Sequence, residues 1–75
     1  NIEEIEAQIL IYVAAGYAND DIGRVLDMRV TVVIETLAAI MNKLGASDRH
    51  SAALAALKKG YILLEDVQNL PRPEA

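Results

Sequence analysis

Residues 16–45 read GYANDDIGRVLDMRVTVVIETLAAIMNKLG, and the spacing of their apolar residues decides the fold. Asn19 suits a helix N-cap and two aspartates follow it, which the helix dipole favours, so a short helix is predicted over 19–26. A second helix is predicted over 30–44, because its apolar residues follow helical spacing and Gly45 suits a C-terminal cap. Residues 27–29 leave room only for a tight turn. The core-facing residues expected are Ile22, Val25 and Leu26 in the first helix, and Val33, Leu37, Ile40, Leu44 and Met41 in the second.

Comparable patterns on either side of this pair predict two further helices. Upstream, three early glutamates and Gly16 bound a helix over about 2–15. Downstream, Ser47 or Asp48 caps a helix over 48–59, which Gly60 ends. The side chains expected in the core are Ile2, Ile5, Ile9, Leu10 and Val13 upstream, and Ala53, Leu54 and Leu57 downstream. No segment alternates as a strand would, so the sequence predicts an all-α, four-helix domain over 1–63 and a partly disordered C-terminal tail over 64–75.

The composition limits the classes of protein that the chain can represent. Of its 75 residues 53% are hydrophobic, yet Cys, Phe and Trp are absent, so the core must be aliphatic and held without disulfides. A cysteine-free chain suits a reducing compartment, and no apolar run approaches the ~20 residues of a membrane span. We therefore expect a cytoplasmic protein with no membrane segment.

Charge is distributed unevenly along the chain. Residues 1–42 carry seven acidic and two basic side chains, whereas residues 43–60 carry one acidic and four basic ones. Affinity for nucleic acid comes mainly from Lys and Arg side chains that neutralise phosphates. Only the stretch from Lys43 to Lys59 can therefore supply a basic footprint.

A set of residues spread over nearly the whole chain points to a family. They are Glu6, Leu10, Val13-Ala14, Gly16-Tyr17, Asn19, Ile22, Leu26, Val33, Leu37, Ile40, Lys43-Leu44-Gly45, Arg49, Ala52-Ala53 and Gly60. In order and spacing they resemble the LuxR-type helix-turn-helix domain, also called GerE-type or NarL/FixJ-type, over about residues 2–63.

This resemblance implies a function as well as a fold. It implies the DNA-binding output domain of a bacterial transcription regulator, which usually follows a receiver domain, as in response regulators, or a ligand-sensing domain. It also implies that the second and third helices form the helix-turn-helix. The third helix would then enter the major groove, and the fourth often makes a dimer.

The positions that carry DNA contacts in this family depart from its pattern here. Arg29 stands where a small hydroxyl residue usually caps the third helix, and positions 31–32 are Thr and Val where a basic residue and Thr are usual. Positions 34–36, commonly Lys or Arg, Asn, and His or Tyr, are Ile, Glu and Thr, and Asp20 replaces an early basic residue. Phosphates need donors or positive charge, and base edges are read by Arg, Lys, Asn or Gln. The DNA contacts still expected are Arg29, Thr31, Thr36, Lys43 and Arg49, with low affinity that collapses with salt.

The altered surface also admits a second function, in which the domain has lost autonomous DNA binding and docks a protein. Val30, Ile34 and Ala38 recur every four residues away from the core stripe, and Val32 makes the third helix apolar nearly all round. Such a helix is normally covered on both sides. Small residues on the outer side of the fourth helix would add to this interface: Ala52, Ala55 and Ala56. The expected partner is a second copy or another protein, at helix three or helix four.

No residue pattern points to an enzyme, a metal site or a cofactor. His50 lies between Asp48 and Ser51, but neighbouring side chains fan around a helix, which does not suit a catalytic triad. Zinc wants about four converging ligands, and the chain has no cysteine and no second histidine. The size and acidity also fit a small carrier protein. That class needs an Asp-Ser pair opening a helix, however, and here His50 precedes Ser51.

Overall fold

Five α-helices make up the part of the chain that the structure, a computed structural model, describes, namely residues 1–73. They are α1 (Glu4–Ala14), α2 (Asn19–Leu26), α3 (Val30–Leu44), α4 (Arg49–Lys59) and α5 (Leu64–Gln68). No strand occurs within these residues, which confirms the all-α prediction. The bounds predicted for the second and third helices are confirmed, whereas α1 begins two residues later and α4 one residue later than predicted.

The helix ends show which capping predictions hold. Asp48 caps α4, because its Oδ1 accepts a hydrogen bond from the backbone N–H of Ser51 at 2.8 Å. The prediction that Asn19 caps α2 is wrong: Ala18 is the N-cap residue and Asn19 is the first residue of the helix. The side-chain oxygen of Asn19 instead accepts a hydrogen bond from Arg49, so another element occupies it.

The turn between α2 and α3 is tight and depends on two unusual positions. Asp27 ends α2 in the left-handed region, with φ 57° and ψ 49°, a conformation that Asp tolerates better than most residues. The chain then doubles back so closely that the N–H of Met28 donates to the carbonyl of Gly23 at 2.7 Å. A Cβ on Gly23 would lie 2.6 Å from the carbonyl oxygen of Met28. The turn therefore leaves no room for a side chain at position 23 and requires glycine there.

The core is mainly aliphatic, as predicted, and all four long elements contribute to it. Its buried members are Ile9, Leu10, Val13, Tyr17, Ile22, Val33, Leu37, Ile40, Ala52, Ala53, Ala56 and Ile62. The α3 stripe is confirmed, with Leu44 and Met41 packed at its edge. The α4 helix presents only alanines among these buried residues, which lets it approach α1 closely.

Three predicted core residues face outward instead. Ile5 is 38% exposed, Val25 50% and Leu54 53%. On α1 the buried face is shifted by one position because Glu6 points inward. On α4 the helix is turned so that its alanines fill the narrow space and its larger Leu54 faces outward.

The C-terminal segment contains a short helix, α5, that the sequence does not predict. Just after Gly60, Ile62 is buried, whereas Tyr61, Leu63 and Leu64 are exposed. Further on, the hydroxyl of Tyr17 donates to the carbonyl of Pro71 at 2.7 Å. The tail predicted to be partly disordered thus contains a helix and a tether within residues 64–73. Glu74 and Ala75 lie outside the described residues.

Within residues 1–73 no single helix has both the length and the apolar character needed to cross a bilayer. The bent pair α3 and α4, 55° apart, meets those two criteria only when both helices are counted together.

We expect Gly23→Val to lower the free energy of unfolding by about 2 kcal/mol, because the added side chain collides with the backbone of the turn. Chemical denaturation followed by circular dichroism measures this change. Ala39→Val, on the exposed side of α3, is the matched control and should change the free energy by less than about 0.7 kcal/mol. An equal loss in both variants would show that the close approach at Met28 is unimportant.

Candidate nucleic-acid interface

The outer side of α3 is the surface on which both predicted functions depend. Successive residues turn by about 100° in a helix, so Thr31, Glu35 and Asn42 point most directly away from the core, and all three are exposed. Apolar side chains flank this line on both sides. Val30, Ile34 and Ala38 form one flank, and Val32 and Ala39 form the other.

The structure confirms that the apolar residues predicted on this surface are exposed. Val30 and Val32 are each 41% exposed and Ile34 is 50% exposed, and Ala38 is exposed as well. The flanks of the outer side of α3 therefore present methyl groups where a helix that reads DNA usually presents donors.

Arg29 and Thr31 are the predicted DNA contacts that the fold leaves accessible. Arg29 is the N-cap residue of α3 and Thr31 lies in its first turn, and both are exposed. No acidic residue lies in that turn. Thr36 is half-buried beside the core stripe, which limits its reach.

Lys43 is committed to an ion pair inside the domain. Its Nζ lies 2.8 Å and 2.9 Å from the two carboxylate oxygens of Glu6, and it also donates to the carbonyl of Asn1 at 3.2 Å. Glu6 is only 5% exposed. The backbone N–H of Glu3, followed by Lys43, lowers the pKa of Glu6 below its usual value. Contact with a phosphate would require Lys43 to leave the buried Glu6 carboxylate with only the N–H of Glu3 bound to it.

Arg49 is likewise engaged in hydrogen bonds inside the domain. Its Nη1 donates to the side-chain oxygen of Asn19 at 2.6 Å and its Nη2 donates to the backbone carbonyl of Tyr17 at 2.7 Å. These bonds tie the start of α4 to the loop between α1 and α2. The half-buried guanidinium therefore stabilises the junction of three helices, which sequence spacing alone does not reveal.

Two of the alanines assigned to a partner interface lie in the core. Ala52 and Ala56 are 0% exposed, so their assignment is wrong, and Ala55 is half-buried. The reason is the close packing of α4 on α1, which turns the small residues inward. The outer side of α4 consists instead of His50, Leu54 and Lys58, all exposed.

His50 lies in the first turn of α4. Asp48 accepts the N–H of Ser51, and this hydrogen bond is the main cause that lowers the pKa of the Asp48 carboxyl. Across residues 1–73 no group of three or more His, Cys, Asp or Glu side chains gathers as a metal site would require.

A comparison with known protein families identifies the family to which the segment from α1 into α4 belongs. The model of the family described as bacterial regulatory proteins, luxR family, matches residues 4–56. The chain belongs to the LuxR family. Domains of this LuxR-type are DNA-binding helix-turn-helix domains of transcription regulators, and α2 and α3 are the helix-turn-helix here. Neither the curated proteins nor the solved structures compared with the chain gave a match.

The helix-turn-helix of this LuxR-type domain, residues 19–44, carries four acidic and three basic side chains. Asp20 and Glu35 are exposed on α2 and α3. Arg24 on α2 lies 2.8 Å from Asp21 in an ion pair. Opposite these carboxylates, Arg29 adds an exposed positive charge near the start of α3, and the side chain of Arg24 is 66% exposed despite its ion pair. The electrostatic attraction for a phosphate backbone is correspondingly small.

We expect Glu6→Gln to lower the free energy of unfolding by about 2 kcal/mol at neutral pH, because the charged bond to Lys43 is lost. The pKa of the Glu6 carboxyl is lowered in the folded state, so the stabilisation is present above the unfolded pKa and is lost as pH falls through the folded pKa. Denaturation at several pH values should show the wild-type advantage disappearing in acid. The exposed Glu4→Gln is the control, and an equal pH response in that variant would contradict the assignment.

We expect Arg49→Ala to lower the free energy of unfolding by about 2 kcal/mol, since Asn19 and a backbone carbonyl lose their donor. Thermal and chemical denaturation measure the effect. Lys59→Ala, which removes an exposed charge at the end of the same helix, should change stability by less than about 0.5 kcal/mol. Unchanged stability in the Arg49 variant would show that its side chain is available for other contacts.

Proposed function

We propose that this LuxR-type domain binds duplex DNA weakly, through the first turn of α3, as the output domain of a cytoplasmic bacterial transcription regulator. One observation carries the proposal: Arg29 and Thr31 are exposed together at the start of the second helix of the helix-turn-helix. In such motifs the N-terminal residues of this helix contact base edges in the major groove. A receiver or sensing domain elsewhere in the regulator would control this activity.

The weakness follows from the number of positive charges that remain available. Lys43 and Arg49 are engaged within the domain, so phosphate contacts fall mainly to Arg29 and to hydroxyl groups such as that of Thr31. Each neutralised phosphate adds about 0.9 units to the slope of log affinity against log salt. Low affinity at every salt concentration is therefore expected, with a shallow slope.

Sequence preference would come from shape and methyl contacts more than from hydrogen bonds. Thr31 can donate to or accept from several bases, and its methyl group, like those of Ile34 and Ala38, can pack on the methyl group of thymine. Glu35 can accept from the amino group of cytosine, but it also repels phosphates. The surface thus favours modest discrimination among sites.

A protein-docking function is the second candidate, and the exposure of Val30 and Ile34 favours it. Exposed apolar side chains that adjoin one another mark protein contacts more often than groove contacts. In that case the domain would contribute to regulation by binding a protein through α3, alone or in addition to DNA.

We expect titration of the domain with random duplex at low salt to give a slope of log affinity against log salt between about −1 and −3. Arg29→Ala should reduce the magnitude of that slope by about one unit, whereas Lys59→Ala should leave it unchanged. Amide NMR shifts should concentrate on residues 29–36. A slope steeper than about −3 would contradict the proposal, as would shifts confined to α4.

A further inference from the structure

The C-terminal segment, residues 64–73, lies across α1 and α2. Its helix α5 packs against α1, and Asp66 and Leu70 line a cavity of about 270 Å³ between the segment and these two helices. The other residues that line this cavity are Gln8, Ile11, Tyr12 and Leu26. Residues 71–73 line a second cavity, of about 310 Å³, and its other lining residues are Tyr17, Asp21, Arg24 and Val25. The segment thus passes from α1 onto the first helix of the helix-turn-helix.

Tyr17 anchors the end of this segment. Its hydroxyl donates to the carbonyl of Pro71 at 2.7 Å, and with the segment in place Tyr17 is only 7% exposed. The ring of Tyr17 meets that of Tyr12 edge to face, with 4.9 Å between the ring centroids. Its backbone carbonyl accepts a hydrogen bond from Arg49. Contacts outside the segment therefore hold Tyr17 in position whether or not the segment is bound.

The bound residues Pro71–Pro73 have the chemistry of an extended peptide ligand. Proline fixes φ at about −65° and has no N–H, so a Pro-x-Pro segment is largely extended before it binds and loses little entropy on binding. A Cβ on Gly16 would lie 3.9 Å from the Cγ atom of Pro73, which places that ring beside the loop before α2. Aromatic-lined grooves bind proline-rich segments in a comparable way.

The attachment of the segment is loose. Its residues are exposed except for Val67, Leu70 and Pro73, which are half-buried. The buried core described within residues 1–73 ends at Ile62. Release of the segment would therefore leave the core intact and uncover the surface of α1 and α2 beneath it.

We propose that the junction of α1 and α2 is a binding site for an extended Pro-x-Pro segment of a partner protein, and that residues 71–73 occupy and block it within the chain. The ligand offers a carbonyl to the hydroxyl of Tyr17 and an apolar residue before the first proline, as Leu70 does here. Asp21 and Arg24 form an ion pair on α2, so that wall carries one charge of each sign and selects little by charge. No residue of α3 lines either cavity, so the proposal does not depend on DNA binding.

The covalent connection makes the internal segment a strong competitor. A short flexible connection gives an effective concentration in the millimolar range, about the dissociation constant expected of so small a peptide. A partner segment must therefore bind more tightly than residues 71–73, or act when the internal segment is released. Variants that release the internal segment should accordingly bind a free peptide better than the wild type.

The test is a titration of the full chain with a peptide of residues 68–73, blocked at both ends and followed by amide NMR shifts. Leu70→Asp replaces a packed apolar side chain with a charge and should release the segment. This variant should bind the peptide with a Kd of about 1 mM, with shifts at residues 16–25, and the wild type at least about tenfold more weakly. Tyr17→Phe added to the variant should weaken binding about fivefold. Tyr61→Phe, which removes an exposed hydroxyl outside the site, should not.

Each alternative gives a different result. Equal peptide affinity in the wild type and in Leu70→Asp would overturn the block, and no binding to that variant at about 10 mM peptide would overturn the site. Unchanged affinity without the Tyr17 hydroxyl, or with alanine in place of both prolines of the peptide, would overturn the proposed recognition. A wild-type dimer that Leu70→Asp abolishes would assign the segment to a second copy and overturn the proposal. Circular dichroism checks folding, and Pro71→Gly with Pro73→Gly is a milder way to release the segment.

Discussion

The ion pair between Glu6 and Lys43 is the constraint on which the arrangement of the helices depends. It joins the first turn of α1 to the last turn of α3, and burial of Glu6 makes the partner obligatory. Arg49 acts similarly at the other end of the domain, where it binds Asn19 and the carbonyl of Tyr17. Because these cations hold the helices in place, they are withdrawn from the surface. The cations that stabilise the fold are thus the same ones that binding of a polyanion would need.

The exposed surface shows the consequence of engaging these cations inside the domain. The helix-turn-helix presents Arg29 and Thr31 at the start of α3. Further along α3 the polar Glu35 and Asn42 point outward between apolar flanks. Apolar atoms are common on protein surfaces, but adjoining ones on a single helix are less so.

Much of the fold could be predicted from the sequence, because helical periodicity and glycine signals are local. The bounds of α2 and α3 and the inward stripe of α3 follow from these signals, and the exposure of Ile34 follows from the same stripe. The orientation of α4 could not be predicted, since burial of Ala52 in preference to Leu54 depends on how closely α1 approaches. Nor could the engagement of Lys43, because its partner lies 37 positions away. Spacing shows which residues share a face but not what that face meets.

The hydrogen bond from Tyr17 to the carbonyl of Pro71 joins positions 54 residues apart. Most of the chain between them is folded into α2 to α4, but α5 buries no residue and only Val67 and Leu70 of this segment pack partly buried on the core, so few contacts besides this bond hold it. By contrast, the hydrogen bonds of the turn between α2 and α3 join residues that are close in sequence. We therefore expect the C-terminal segment to open independently of the helix-turn-helix, so that amide protons around α5 exchange with solvent faster than those of α3.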